Sequence, residues 1–99
     1  MKTITTSELK KLIDSKDAKF QIIDVRSKEE WNEGHIQDSR VINIEAGKIL
    51  MDTREVSKSS PVYLICESGG RSSFAQMILK TKGIEAINVV GGMSSFRKN

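Results

Sequence analysis

The sequence predicts an α/β domain with a mainly parallel sheet, on three observations. Short apolar runs alternate with amphipathic segments along the whole chain. Two capping boxes and a series of glycines punctuate them. The segments between successive apolar runs are long enough to carry the crossover helices that parallel pairing needs. Crossovers of this kind are right-handed and leave helices on both faces of the sheet. The 99 residues make room for one such domain and no second.

Each element has its own signal. Thr5-x-x-Glu8 reads as a capping box, followed by Leu9, Leu12 and Ile13 on one helical face. Phe20 to Val25 is a short apolar run, read as a buried strand. Ser27-x-x-Glu30 is a second capping box, and Gly34 stops that short helix. Val41 to Ile44 reads as a strand, and Ala46, Ile49 and Leu50 have the spacing of a helix over Glu45 to Asp52. Pro61 opens the strongest strand, Val62 to Ile65, at the position where its missing N–H does least harm. The following helix places Phe74, Met77 and Ile78 on one face, read as core, with Ala75 and Leu79 beside it; Lys80 and Lys82 before Gly83 end it. Ala86 to Val90 is the last strand, Gly91-Gly92 a break, and Met93 to Arg97 a short closing helix. Ligands of such sheets gather at the carboxyl ends of the strands, which points to the residues just after Val25, Ile44, Ile65 and Val90.

Composition narrows the function. Sixteen basic and thirteen acidic residues leave a formal charge of +3, with both signs interspersed and only five aromatic residues. A nucleic-acid surface needs a basic stripe with stacking aromatics, so this class is set aside. The longest apolar stretch, Val62 to Cys66, is far too short to span a bilayer, and Met1 to Thr5 lacks the apolar core of a signal peptide; the expectation is a cytoplasmic protein with no membrane partner. One cysteine excludes an internal disulfide and a Cys-x-x-Cys pair, and with one histidine there is almost no ligand set for a metal. No metal and no organic cofactor are expected.

The segment Cys66-Glu67-Ser68-Gly69-Gly70-Arg71-Ser72 lies between the best strand and the best helix. A thiol there faces unpaired amides and the positive end of a helix dipole, both of which favour thiolate, the nucleophilic form. Gly69 and Gly70 let the backbone take positive φ, so that consecutive N–H groups converge on one centre, and Arg71 adds a guanidinium suited to oxyanions. Such a loop can hold a thiolate, a persulfide or an anionic ester. Taken singly, the cysteine reads as inert core, the glycines as a turn and the arginine as a solvated helix start. Their combination on one loop favours a reactive Cys66.

Cys66-x-x-Gly69-x-Arg71-Ser72 resembles the active-site loop of rhodanese domains, the sulfurtransferases. Ile23-Asp24-Val25-Arg26 followed by Glu30-x-x-x-Gly34-His35-Ile36 is similar to that family's first signature, and Val90-Gly91-Gly92-Met93 with Phe96 to its ending, where Trp is more usual than Phe96. Asp38-Ser39 stands where the family commonly has Gly-Ala. The resemblance runs nearly the whole chain and implies a rhodanese-like three-layer fold, a five-stranded mainly parallel sheet with helices on both faces. It implies that Cys66 takes up a sulfane sulfur from a persulfide, polysulfide or thiosulfate and passes it to cyanide, a small thiol or a thiol-bearing protein. The amides from Glu67 through Arg71, and Ser72 beside them, would then cradle the persulfide. Phosphatases with this fold, and tyrosine phosphatases, separate cysteine and arginine by five residues; four separate Cys66 and Arg71, which suits one sulfur better than a phosphate or arsenate.

Glu67 is expected to repel dianionic thiosulfate and to raise the Cys66 thiol, unless it points into water and is screened. Asp24 and Arg26 either orient a donor or, the preferred reading, form a structural bracket tying Arg26 to Glu30. His35 has a titration range suited to acid–base work, but its place after Gly34 favours a role in holding a turn together. Trp31 reads as packing against the core. Gly91-Gly92 either lets backbone approach the active loop or simply breaks the chain before its last helix. Lys48, Arg97 and Lys98 rim the site or are solvated surface. The primary reading is a sulfurtransferase acting through Cys66; its rivals are a catalytically silent docking or regulatory module and, behind that, a phosphatase or arsenate reductase. Monomer and dimer are equally compatible with the sequence.

Overall fold

The computed structural model describes residues 1–99. Five strands form one sheet: β1 Thr3–Ile4, β2 Gln21–Asp24, β3 Val41–Asn43, β4 Val62–Ile65 and β5 Ile87–Val89. Their order is β1-β5-β4-β2-β3, and every pair is parallel. Between them run α1 Thr6–Asp14, α2 Lys28–Glu33, α3 Ala46–Met51, α4 Gly70–Thr81 and, at the end, α5 Gly92–Lys98. All four strands and all five helices read from the sequence are present, each within two residues of its expected ends. The fifth strand, β1, is only two residues long and carries no periodicity of its own; it exists because Thr3 and Ile4 pair with Asn88 and Val89.

Alternation along the strands sorts the core into two layers. Val62 and Leu64 of β4, with Cys66 just beyond, face Ile49 of α3 and Ala75 and Leu79 of α4. Tyr63 and Ile65 face the opposite way, toward Leu9 of α1 and Met93 of α5. Leu12, Ile13 and Trp31 pack at the edge of this second layer. β4 is central and buried on both faces, so each of its side chains contributes about 1.5–3 kcal/mol by leaving water. Both expected capping boxes form: Thr5 and Glu8 bond reciprocally at the start of α1, as do Ser27 and Glu30 at the start of α2.

One helix faces differently from its hydrophobic pattern. Phe74 and Met77 of α4, expected in the core, are 44% and 50% exposed. The buried stripe is instead Ser72, Ala75, Gln76 and Leu79, with Ile78 partly covered. Two of these residues are buried for their hydrogen bonds. Gln76 Nε2 donates to the carbonyls of Lys2 (2.7 Å) and Ala86 (2.9 Å), and Ser72 belongs to the site described next.

Candidate active site

The carboxyl ends of β2, β4 and β5 converge, and the loop Cys66–Gly69 connects β4 directly to α4. Cys66 is 1% exposed. Its sulfur is nevertheless in polar company: Gly69 N–H donates to Sγ at 3.0 Å, Ser72 N–H at 3.4 Å, and the Ser72 hydroxyl lies 3.3 Å away. Gly69 makes this possible by adopting φ +112°, a left-handed conformation that turns the chain into α4. Gly70, expected to share that conformation, instead begins the helix with ordinary negative φ. Burial works against the thiolate, but hydrogen bonds from the Ser72 hydroxyl and from the Ser72, Gly69 and Ser68 amides outweigh it and hold the thiol below its ordinary value.

The loop amides are also oriented from outside. Met93 N–H donates to the carbonyl of Cys66 (2.8 Å) and Ser94 N–H to that of Glu67 (3.0 Å), so the first turn of α5 grips the loop by its carbonyls. In a planar trans peptide the N–H points opposite to the C=O, which turns the N–H groups of Glu67 and Ser68 away from α5. The amides of Glu67, Ser68, Gly70 and Arg71 donate to no carbonyl. The approach requires glycine at position 92: a Cβ there would lie 2.3 Å from the Cys66 carbonyl oxygen, on a backbone with φ +56°. This close approach is the first of the two roles weighed for Gly91-Gly92.

The charged residues pair in a pattern the sequence did not disclose. Arg71 turns its fork onto Glu30, with Nη1–Oε1 at 2.6 Å and Nη2–Oε2 at 3.0 Å. Glu30 thus serves α2 as its capping acid and the loop as an anchor, and Arg71 holds its carboxyl down at about 2. Arg97 of α5 grips Glu67 in the same bidentate way, at 2.6 and 3.1 Å, and keeps that carboxyl below the usual range. Glu67 is therefore ion-paired and not free in water. Arg97 rims the site, as one of its two readings had it.

Arg26 bonds to Asp24, not to Glu30 as the preferred reading expected. Both are buried, with Nε within 3.1 Å of both Asp24 oxygens and Nη2 at 2.8 Å from Oδ2; the same Nη2 donates to the Gly34 carbonyl at 2.7 Å. Nη1 lies 3.6 Å from Glu67. Asp24 Oδ1 also accepts the Arg26 amide at 3.1 Å, so the carboxylate holds Arg26 by backbone and side chain, while Glu30 is taken by Arg71. Asn43 closes the bracket from β3 by donating to the carbonyls of Asp24 and Arg26. A shallow depression of about 170 Å³ lies beside it, lined by Arg26, Glu30, Glu33, Gly34, Glu67 and Arg97.

His35 has no bond to the loop. Its ring stacks on Trp31 at 3.5 Å, and Nδ1 lies 2.8 Å from the Trp31 carbonyl, which can only accept; the proton is therefore on Nδ1, leaving Nε2 to accept from Gln37 at 3.3 Å. Sequence reasoning missed Asn88, whose Oδ1 lies 2.5 Å from Ser72 Oγ, and the Arg71 partner of Glu30. A polar residue inside the expected strand Ala86–Val90 was the available signal for Asn88.

Comparison with known proteins agrees with this fold. The chain is 36% identical over 91 residues to the putative sulfur carrier protein YrkF of Bacillus subtilis, covering 91% of this chain and 48% of that one. It is 36% identical over 78 residues to the adenylyltransferase and sulfurtransferase uba4 of Ogataea parapolymorpha, covering 78% and 20%. It thus spans half the length of the first of these relatives and a fifth of the second. The crystal structure of a rhodanese-like domain protein from Staphylococcus aureus superposes with a TM-score of 0.87 at 35% identity, covering 97% of this chain and 91% of that one. The family pattern described as the rhodanese-like domain matches residues 5–99, and the chain belongs to that family.

Proposed function

We propose that this chain is a sulfurtransferase in which Cys66 carries the sulfur. One observation carries the reading. The Cys66 sulfur accepts amides from its own loop while the Glu67, Gly70 and Arg71 amides have no carbonyl to bond, so an anion seated outside the thiol would meet unspent donors. In the first step the Cys66 thiolate attacks the outer sulfur of a persulfide R–S–SH. The donor S–S bond breaks, R–S⁻ leaves, and Cys66–S–SH forms. In the second step an acceptor thiolate attacks that outer sulfur and Cys66–S⁻ returns. Sulfur moves without net oxidation. The chain holds one cysteine, so the acceptor comes from elsewhere, a small thiol or a thiol-bearing protein.

The charge pattern supports a persulfide or polysulfide donor over thiosulfate. Arg71 is spent on Glu30, Arg97 on Glu67, and Arg26 on Asp24 and Gly34, which leaves no guanidinium fork for a sulfonate. Incubation with polysulfide followed by intact-mass measurement tests the reading. One added sulfur on the wild type and none on Cys66→Ser is expected. An unmodified wild type would instead favour a docking module, and phosphatase turnover would favour the ester-cleaving alternative.

A further inference from the structure

The Ser72 hydroxyl is overcommitted. It has one proton and three neighbours able to take it: the Gly69 carbonyl at 3.1 Å, Asn88 Oδ1 at 2.5 Å and Cys66 Sγ at 3.3 Å. Asn88 reaches this point from β5, where it pairs with Leu64 and Thr3 and faces the same layer as Ala86. It is half-buried, and its Nδ2 has no partner within the protein. A half-turn of the carboxamide therefore exchanges its oxygen for its nitrogen beside Ser72 and breaks no bond but the one to Ser72.

Two arrangements satisfy both the Ser72 hydroxyl and the sulfur, one for each charge state of the sulfur. With a neutral thiol, Cys66 S–H donates to Ser72 Oγ and Ser72 donates to Asn88 Oδ1. With an anion, the thiol proton has gone to solvent; Asn88 Nδ2–H donates to Ser72 Oγ, and Ser72 donates to the sulfur. We propose that Asn88 is a positioning residue for Cys66, its carboxamide turning over so that the Ser72 hydroxyl reverses as the sulfur becomes an anion. The same reversal serves a persulfide, whose inner sulfur bears no proton and can only accept. The inference rests on Cys66 being the nucleophile and not on which sulfur compound it attacks.

The test reads the thiol alone, so that a failed relay and a failed sulfur transfer are told apart. The pH dependence of iodoacetamide alkylation is measured on the wild type, Asn88→Asp, Ser72→Ala and the double variant. The charged groups around the loop, namely Asp24 and Arg26 beyond β2, Glu30 of α2, Glu67, Arg71 of α4 and Arg97 of α5, are common to all four proteins. An aspartate can only accept, so it keeps the Ser72 proton from the sulfur; the alkylation midpoint is expected to rise by about one unit. In the Ser72→Ala background that rise should fall to less than half, leaving only the through-space effect of the new charge. A midpoint unmoved by Asn88→Asp, or a rise that survives undiminished without Ser72, overturns the proposal. Should Asn88→Asp fail to fold, nitrogen-15 NMR of the wild type provides the second reading. One Asn88 side-chain amide proton should move downfield as Cys66 ionises and stay fixed in Cys66→Ser; a flat signal in the wild type overturns the proposal equally.

Discussion

Two strand ends lie side by side in this molecule and use their polar groups in opposite ways. After β2, Asp24 and Arg26 are buried and closed: the guanidinium is held by a carboxylate and a carbonyl, and Asn43 ties the backbone from the next strand. After β4, Cys66 is just as buried, but its loop keeps four amides without a carbonyl partner. Burial alone therefore does not separate scaffold from site. The distinction is whether the donors are spent: those after β2 are closed within the fold, whereas Glu67, Gly70 and Arg71 keep amides at the surface, open to whatever binds there.

The comparison breaks most readily at the closed end. Asp24→Asn leaves the buried Arg26 charge with only the more distant Glu67 carboxylate and should cost about 3–5 kcal/mol in denaturant unfolding. If the ion pair is scaffold only, the fraction that remains folded still alkylates at Cys66 at the wild-type rate. A slower rate in that fraction would place Asp24 in the chemistry.

Gly92→Ala attacks the open end through its support. The new Cβ meets the Cys66 carbonyl on a left-handed backbone, and the cost should be about 2 kcal/mol. Here, unlike the first case, alkylation of the folded protein should slow, because the loop carbonyls lose their anchors. An unchanged rate would mean that α5 contributes packing alone.

Glu67→Gln sharpens the donor assignment. It removes one negative charge and frees Arg97, so thiosulfate turnover should rise about two- to fivefold while turnover with a small persulfide changes little. Equal or lower thiosulfate turnover would remove Glu67 from donor selection.

The smallest effect concerns acid. Arg71 holds the Glu30 carboxyl at about 2 against an ordinary 4.5, so the pair stabilises the fold above the ordinary value and loses that contribution as pH falls toward 2. Both side chains are partly exposed, which keeps the contribution below about 1 kcal/mol. The stability gap between the wild type and Glu30→Gln should therefore close across that window, and a constant gap would show that Glu30 acts through the α2 cap instead.

The order of elements was legible because each carries a local signal: a capping box, a glycine stop, an apolar run. So was the loop, whose residue types declare themselves. What escaped reading were partnerships between distant segments. Glu30 was visible as the acid of a capping box, and nothing local indicates that Arg71, 41 positions on, takes both of its oxygens. Phe74 and Met77 misled for a related reason. The buried face of α4 is chosen by hydrogen bonds that Ser72 and Gln76 make to β5 and to the loop, and hydrophobic spacing is blind to a polar reason for burial. Asn88 was hidden inside an apolar run, where its neighbours set the reading of the strand.

The grip of the first turn of α5 on the Cys66 and Glu67 carbonyls has a consequence for how the protein is made. During synthesis the thiol leaves the ribosome before the helix that arranges its amides. Until residues 92–94 have emerged and docked, Cys66 is an ordinary cysteine on an unfinished chain, so the arrangement of amides about its loop forms only once the fold around it has closed.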